Sequence, residues 1–63
     1  MPYKIREYRI KKQMTQQELA DKAGVSRATI SGLESGSITV TTTETIRKIS
    51  AALGKKVGDI FLP

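Results

Sequence analysis

Cysteine and histidine are both absent from these 63 residues. Without thiols, no disulfide or thiolate metal site can staple the chain. Without imidazole, the commonest general base and the commonest neutral metal ligand are missing. No apolar run approaches the length of a membrane span, and there is no signal-peptide core. A cytoplasmic protein is the default expectation. Low-complexity tracts and internal repeats are also missing. Carboxylates are scarce, 6 against 11 basic residues, which leaves a net charge of +5. In a small domain that balance suits a polyanionic partner, although solubility alone also accounts for it. The six carboxylates, Glu7, Glu18, Asp21, Glu34, Glu44 and Asp59, mostly fall at helix caps or on helix faces. They form no catalytic constellation, so the chain is not expected to be an enzyme or to need a metal or cofactor.

One domain, residues 1–63, is the most this length allows, and a domain so small buries a modest share of its surface. Helix packing has to hold it, helped by oligomerisation. The first helix is expected over Pro2 to Lys12, with Ile5 and Tyr8 on one face and Ile10 off it. Lys4, Arg6, Arg9, Lys11 and Lys12 form a positive cluster there, in which Lys4 and Arg6 read as solvated surface charges. The second helix opens at Thr15, where Thr15 and Glu18 make a capping box and Met14 can staple to Leu19. Gly24 ends it in a left-handed conformation. The third starts at the N-cap Ser26 and stops at Gly36. Thr41 to Glu44 fits a capping box for the fourth, with Thr42 as the alternative cap; Ile46, Ile49 and Leu53 form its stripe and Gly54 its stop. A last turn runs from Val57 to Leu62. Ile38 to Thr41 has strand-like composition but no partner strand, so it reads as an extended loop. The fold class is all-α, a compact five-helix bundle.

The organising stretch is Thr15 to Gly36. Leu19, Ala20, Ala23, Val25, Ile30 and Leu33 are its apolar positions, and Gly24 its turn. Two helices that cross steeply must approach closely, which requires a small residue at Ala20. A turn of so few residues requires an unusual backbone conformation at Gly24. The unpaired N–H groups opening both helices can meet phosphates. These are the requirements of a helix-turn-helix that enters the DNA major groove with its second helix.

Across nearly its whole length the chain resembles the phage-repressor-like helix-turn-helix family, also called Cro/CI or XRE. The runs MTQQELADKAGVS, TISGLESG and ETIRKISAALG with its closing DIF carry the likeness. The resemblance implies a lambda repressor-like DNA-binding domain, residue by residue as follows. Arg27, Ala28, Ser31 and Gly32 are expected to face bases, with Arg27 the strongest candidate because a guanidinium bonds guanine O6 and N7 bidentately. Ala28 can pack on a thymine methyl; Thr29 carries less weight. Gly32 replaces a longer polar residue common in the family. It either permits close approach to DNA or makes no base contact, and the second reading is preferred. Specificity then leans on DNA shape and dimer spacing. Phosphate contacts are expected of Gln16, Gln17, Ser26, Ser35, Ser37 and Thr39, with Gln16 also bracing the recognition helix. Arg9 and Glu34 match a partly buried ion pair of the family. Ile38 and Val40 would be exposed in a monomer, and Val40, Val57, Phe61 and Leu62 suggest a dimer interface; folding of Ile38 and Val40 back onto the domain is the alternative.

The resulting expectation is a transcriptional regulator, most simply a repressor that binds an inverted-repeat operator in double-stranded DNA as a homodimer. Met1 reads as an intact start, and so short a chain leaves no room for a separate sensing domain. A second class is an antitoxin or other protein-interaction module on the same fold, with a toxin or polymerase as candidate partner.

Overall fold

A computed structural model describes residues 3–38 and 42–61. Among them the chain is all-helical, with α1 Ile5–Lys11, α2 Gln16–Ala23, α3 Arg27–Ser35, α4 Thr43–Leu53 and α5 Val57–Phe61. Each helix forms where an apolar stripe of helical period meets an end signal. For α2 that signal is reciprocal: the Thr15 hydroxyl accepts from the Glu18 amide at 3.0 Å, and the Glu18 carboxylate accepts from the Thr15 amide at 2.9 Å. Ser26 caps α3 through the Thr29 amide at 3.2 Å. The start of α4 corrects the expectation of a cap at Thr41, a residue outside the described ones. Thr42 is the cap, accepting from the Thr45 amide at 3.2 Å, and its hydroxyl also meets that of Thr45 at 3.0 Å. Thr43 is thereby already helical, which leaves no place for a box from Thr41 to Glu44.

The ends of α1, α2 and α4 share one construction. After α2, Gly24 takes φ 72°, its amide donates to Asp21 O at 3.3 Å, and the Val25 amide donates to Ala20 O at 3.0 Å. Two otherwise orphaned carbonyls are satisfied by this crossing pair of bonds. The same pair closes α4 at Gly54. It also closes α1, but there the left-handed residue is Gln13, at φ 57°, the one non-glycine with positive φ among the described residues. Its amide donates to Ile10 O at 2.9 Å and the Met14 amide to Arg9 O at 3.1 Å. Helix α1 is shorter than the expected span from Pro2, which lies outside the described residues. Lys4 donates its amide to Ile60 O at 2.9 Å, so the residue before α1 is tied to α5.

The core is formed by Ile5 of α1, Leu19, Ala20 and Ala23 of α2, Ile30 and Leu33 of α3, Ile49, Ala52 and Leu53 of α4, and Ile60 and Phe61 of α5. Ala20 is fully buried where α2 meets its neighbours, and half-buried Val25 fills the turn between α2 and α3. Helix α2 packs on both α3 and α4, while α1 touches α3, α4 and α5. Phe61 corrects the dimer assignment. It is only 9% exposed, and its ring lies 4.8 Å from that of Tyr3. The short α5 turns this side inward, so the ring closes the core rather than offering a surface.

The αL turns generate a paired prediction. Gly24→Ala is expected to cost about 1–2 kcal/mol from backbone conformation, since a Cβ there meets nothing within 4 Å. Each kcal/mol lowers the Tm of a domain this size by about 4–8 °C. Gln13→Gly should change stability the other way, by up to about 1 kcal/mol, because glycine enters this region freely but loses more entropy on folding. Circular-dichroism melts check both signs; a Gly24→Ala melt at the parent Tm would remove the account.

Candidate nucleic-acid interface

Helix α3 divides its residues by burial. Ile30, Leu33 and Glu34 point inward and are buried, while Arg27 and Ala28 are exposed, Ser31 is half-buried and Ser35 exposed. Arg27, Ser31 and Ser35 recur every four residues and so share one face. Arg27 forms no ion pair among the described residues. Its guanidinium is thus available at the leading end of the helix. The first amides of α2 and α3 have no intrahelical acceptor. Capping takes up the Glu18 and Thr29 amides and leaves those of Gln16, Gln17, Arg27 and Ala28 at the two dipole-positive ends.

Behind this face lies a buried polar node. Arg9 of α1 bonds Glu34 of α3 bidentately, Nε to Oε2 at 2.7 Å and Nη2 to Oε1 at 3.0 Å. Its remaining Nη1 donates to Met14 O at 2.7 Å. Gln16 Nε2 reaches Glu34 Oε1 at 3.3 Å. The side chains of Arg9 and Glu34 are only 13% and 5% exposed. The hydrogen bond to Glu34 raises the Arg9 pKa further above its ordinary value; desolvation opposes this and the charge of Glu34 adds to it. The guanidinium stays charged at every accessible pH. One carboxylate therefore holds α1, the start of α2 and the end of α3 in a fixed relation. Gln16 is half-buried and braced from below, at the first residue of α2.

The other residues expected at the site divide. Gln17 is exposed, with its side-chain Nε2 donating to Asp21 Oδ1 at 2.9 Å. Ser26 is exposed, with its hydroxyl engaged in capping and 2.9 Å from Thr29 Oγ1. Ser35 and Ser37 meet hydroxyl to hydroxyl at 2.9 Å. Thr39, Val40 and Leu62 lie outside the described residues, and Val57 is 40% exposed.

Gly32 is corrected as a member of the base-facing set, though not in the preferred reading that it makes no base contact. It is buried, and Ile38 folds back over it. A Cβ built at Gly32 would come within 2.5 Å of Ile38 Cγ1 and collide with its Cδ1. The Ile38 amide donates to Gly32 O at 3.0 Å, as does that of Gly36. Glycine is present because the loop leaving α3 crosses this spot, so Gly32 belongs to packing and not to a base-facing edge. Ile38 itself is half-buried against the core, as in the alternative in which it folds back onto the domain and not in the one that left it exposed. Neither fact is visible in spacing alone, since α3 periodicity leaves Gly32 near the outward face. The signal was the pairing of a mid-helix glycine with an isoleucine just beyond the helix stop.

A capped helix, a left-handed glycine turn and a second helix braced by an inward carboxylate define a helix-turn-helix protein. The chain matches the helix-turn-helix family over residues 5–60 and belongs to its XRE-type branch, a family of transcriptional regulators. Two proteins of Archaeoglobus fulgidus, each described as an uncharacterized HTH-type transcriptional regulator, are 40% identical to it over 62 residues. The similarity covers 98% of this chain and 86% and 87% of theirs.

Two stability experiments follow. Arg9→Ala or Glu34→Ala leaves a buried charge without its partner and should cost about 3–5 kcal/mol, against a total of order 3–9 kcal/mol for a domain of this length. Urea midpoints should collapse for both single variants and recover in part for Arg9→Met/Glu34→Leu; parent-like single variants would mean that the pair contributes nothing. Gly32→Ala should fail to yield its helix-propensity gain of about 1 kcal/mol in the parent but deliver it in an Ile38→Ala background. A double-mutant cycle reads this, and a coupling of zero would contradict the seating of Ile38 on Gly32.

Proposed function

We propose that this chain binds double-stranded DNA sequence-specifically and represses transcription by occupying a promoter as a two-fold dimer on an inverted repeat. The observation that carries this reading is the exposed, uncompensated Arg27 at the leading end of α3, on a helix locked from behind by Arg9, Glu34 and Gln16. With α3 in the major groove, Arg27 reads a guanine edge, Ala28 packs on a thymine methyl and Ser31 supplies a single hydroxyl. Gln16, Gln17 and the amides opening α2 hold the phosphate backbone, joined by Ser26, Ser35 and Ser37. The chain acts by binding and not by catalysis.

So short a reading edge supports the dimer. One recognition helix of nine residues presents three reading side chains once Gly32 is removed from the set. A second copy on a half-site about 34–36 Å away doubles the sequence read and makes the operator palindromic. Val57 is exposed and lies on the proposed dimer surface.

Titration of fluorescent duplexes, random and from the protein's own upstream region, tests the reading across a salt series. The upstream site should bind more tightly by a factor of 10³ or more, with affinity falling steeply as salt rises. Arg27→Ala should relax preference at one base pair per half-site by about 1–3 kcal/mol, whereas Gln16→Ala weakens all duplexes alike. Val57→Glu should weaken binding to a two-half-site probe and spare a single half-site. Equal, salt-insensitive binding to both duplexes would overturn the reading.

A further inference from the structure

Beside the Arg9–Glu34 node lies an open cleft of about 270 Å³, lined by Arg6 and Arg9 of α1, Gln16 of α2, and Ser31, Glu34 and Ser35 of α3. We propose that this cleft seats a phosphodiester of the DNA backbone and that Arg6 is its charged ligand, making α1 part of the DNA clamp. The inference rests on the DNA-binding reading above and extends it to Arg6, a residue that the sequence alone marks as a solvated surface charge.

Charge decides the matter. Three ionised groups line the cleft. Glu34, the one carboxylate, already accepts two bonds from Arg9 and one from Gln16. Arg9 spends all three of its nitrogens on Glu34 and Met14 O. The Arg9–Glu34 pair is neutral as a unit, so the cleft keeps the single positive charge of Arg6. Among the described residues no carboxylate pairs with Arg6: the ion pairs are Arg9–Glu34, Lys11–Glu7 and Lys48–Glu44. An exposed guanidinium and the Ser31 hydroxyl line the cleft together, the donor chemistry that a phosphate oxygen accepts, while Ser35 Oγ already donates to Gly32 O at 3.3 Å.

Position agrees with charge. Ser31 and Ser35 stand one and two turns behind Arg27 on the same face, so about 12 Å of helix rise separates Arg27 from Ser35. The major groove is itself about 12 Å wide. With Arg27 at the base edges, the trailing end of α3 reaches the groove wall, which is phosphate. The cleft opens at that trailing end, where Arg6 can close on the backbone from the α1 side while Gln16 meets it from α2.

The test is the salt dependence of duplex binding for the parent, Arg6→Ala, Arg6→Lys and Lys22→Ala. Lys22 is an exposed cation near the far end of α2 and serves as the charge-matched control. Arg6→Ala should lower the slope of log K against log salt by about 0.9 and weaken binding about eightfold at 0.1 M salt relative to 1 M, for specific and random duplexes alike. Arg6→Lys should restore most of the slope, and Lys22→Ala should leave it near the parent value. Because Arg6 is exposed, its variants should melt with the parent. A parent slope in Arg6→Ala, or equal losses in Arg6→Ala and Lys22→Ala, overturns the proposal while leaving the DNA-binding reading intact. A parent that binds no duplex overturns both.

Discussion

A buried guanidinium–carboxylate pair can persist only if nearly every polar atom in it is matched, because each charge taken from water costs several kcal/mol. Arg9 and Glu34 meet that condition through the bidentate geometry of an arginine–carboxylate pair. The planar fork of arginine gives two parallel bonds to one carboxylate and still has a third nitrogen for a carbonyl. Lysine, a point charge on a flexible stem, offers no such planar fork. The requirement reaches into the backbone as well. Met14 O is placed where Arg9 finds it by the left-handed turn at Gln13, an uncommon conformation for a residue with a Cβ. The turn after α1, the start of α2 and the end of α3 are thus adjusted to one another around a single carboxylate.

That arrangement matters more here than it would in a larger domain. The apolar core is small, and surface-to-volume scaling limits what burial alone can provide. The chain compensates at its helix ends, where a hydroxyl opens α2, α3 and α4 and a left-handed residue closes α1 to α4. The segment before α1 is also joined to α5, through Lys4 on Ile60 and Tyr3 on Phe61.

Much of this was legible in the chain. Thr15 with Glu18, Gly24 and the apolar spacing from Leu19 to Leu33 are local signals, and local signals survive folding when no distant contact opposes them. The Arg9–Glu34 pair is long-range, and it was legible only through family resemblance. What escaped depends on contacts between segments far apart or just past a helix end. Phe61 looks like an exposed aromatic until Tyr3 lies against it. Gly32 looks like a gap in a reading face until Ile38 covers it. The choice between Thr41 and Thr42 turns on one residue of register, which adjacent threonines do not encode. Gln13 carries no sign of positive φ, because glutamine is not a residue that favours it.

The misplacement of Gly32 alters how the proposed recognition is organised. A reading face four residues wide at alternating turns would couple base choice to helix packing, since each change would touch a neighbour. With Gly32 under Ile38, the proposed readers Arg27, Ala28 and Ser31 are exposed or half-buried, and the residues that hold the helix, Ile30, Leu33 and Glu34, are buried. Base preference and stability are then set by separate residues of the same nine-residue helix. On the proposed reading, so few direct readers would leave much of the discrimination to DNA shape and to half-site spacing. Both demand that the helix be presented at a fixed angle to the backbone. A rigid node behind α3 provides that angle, and charge on α1 beside the node would hold the backbone to it.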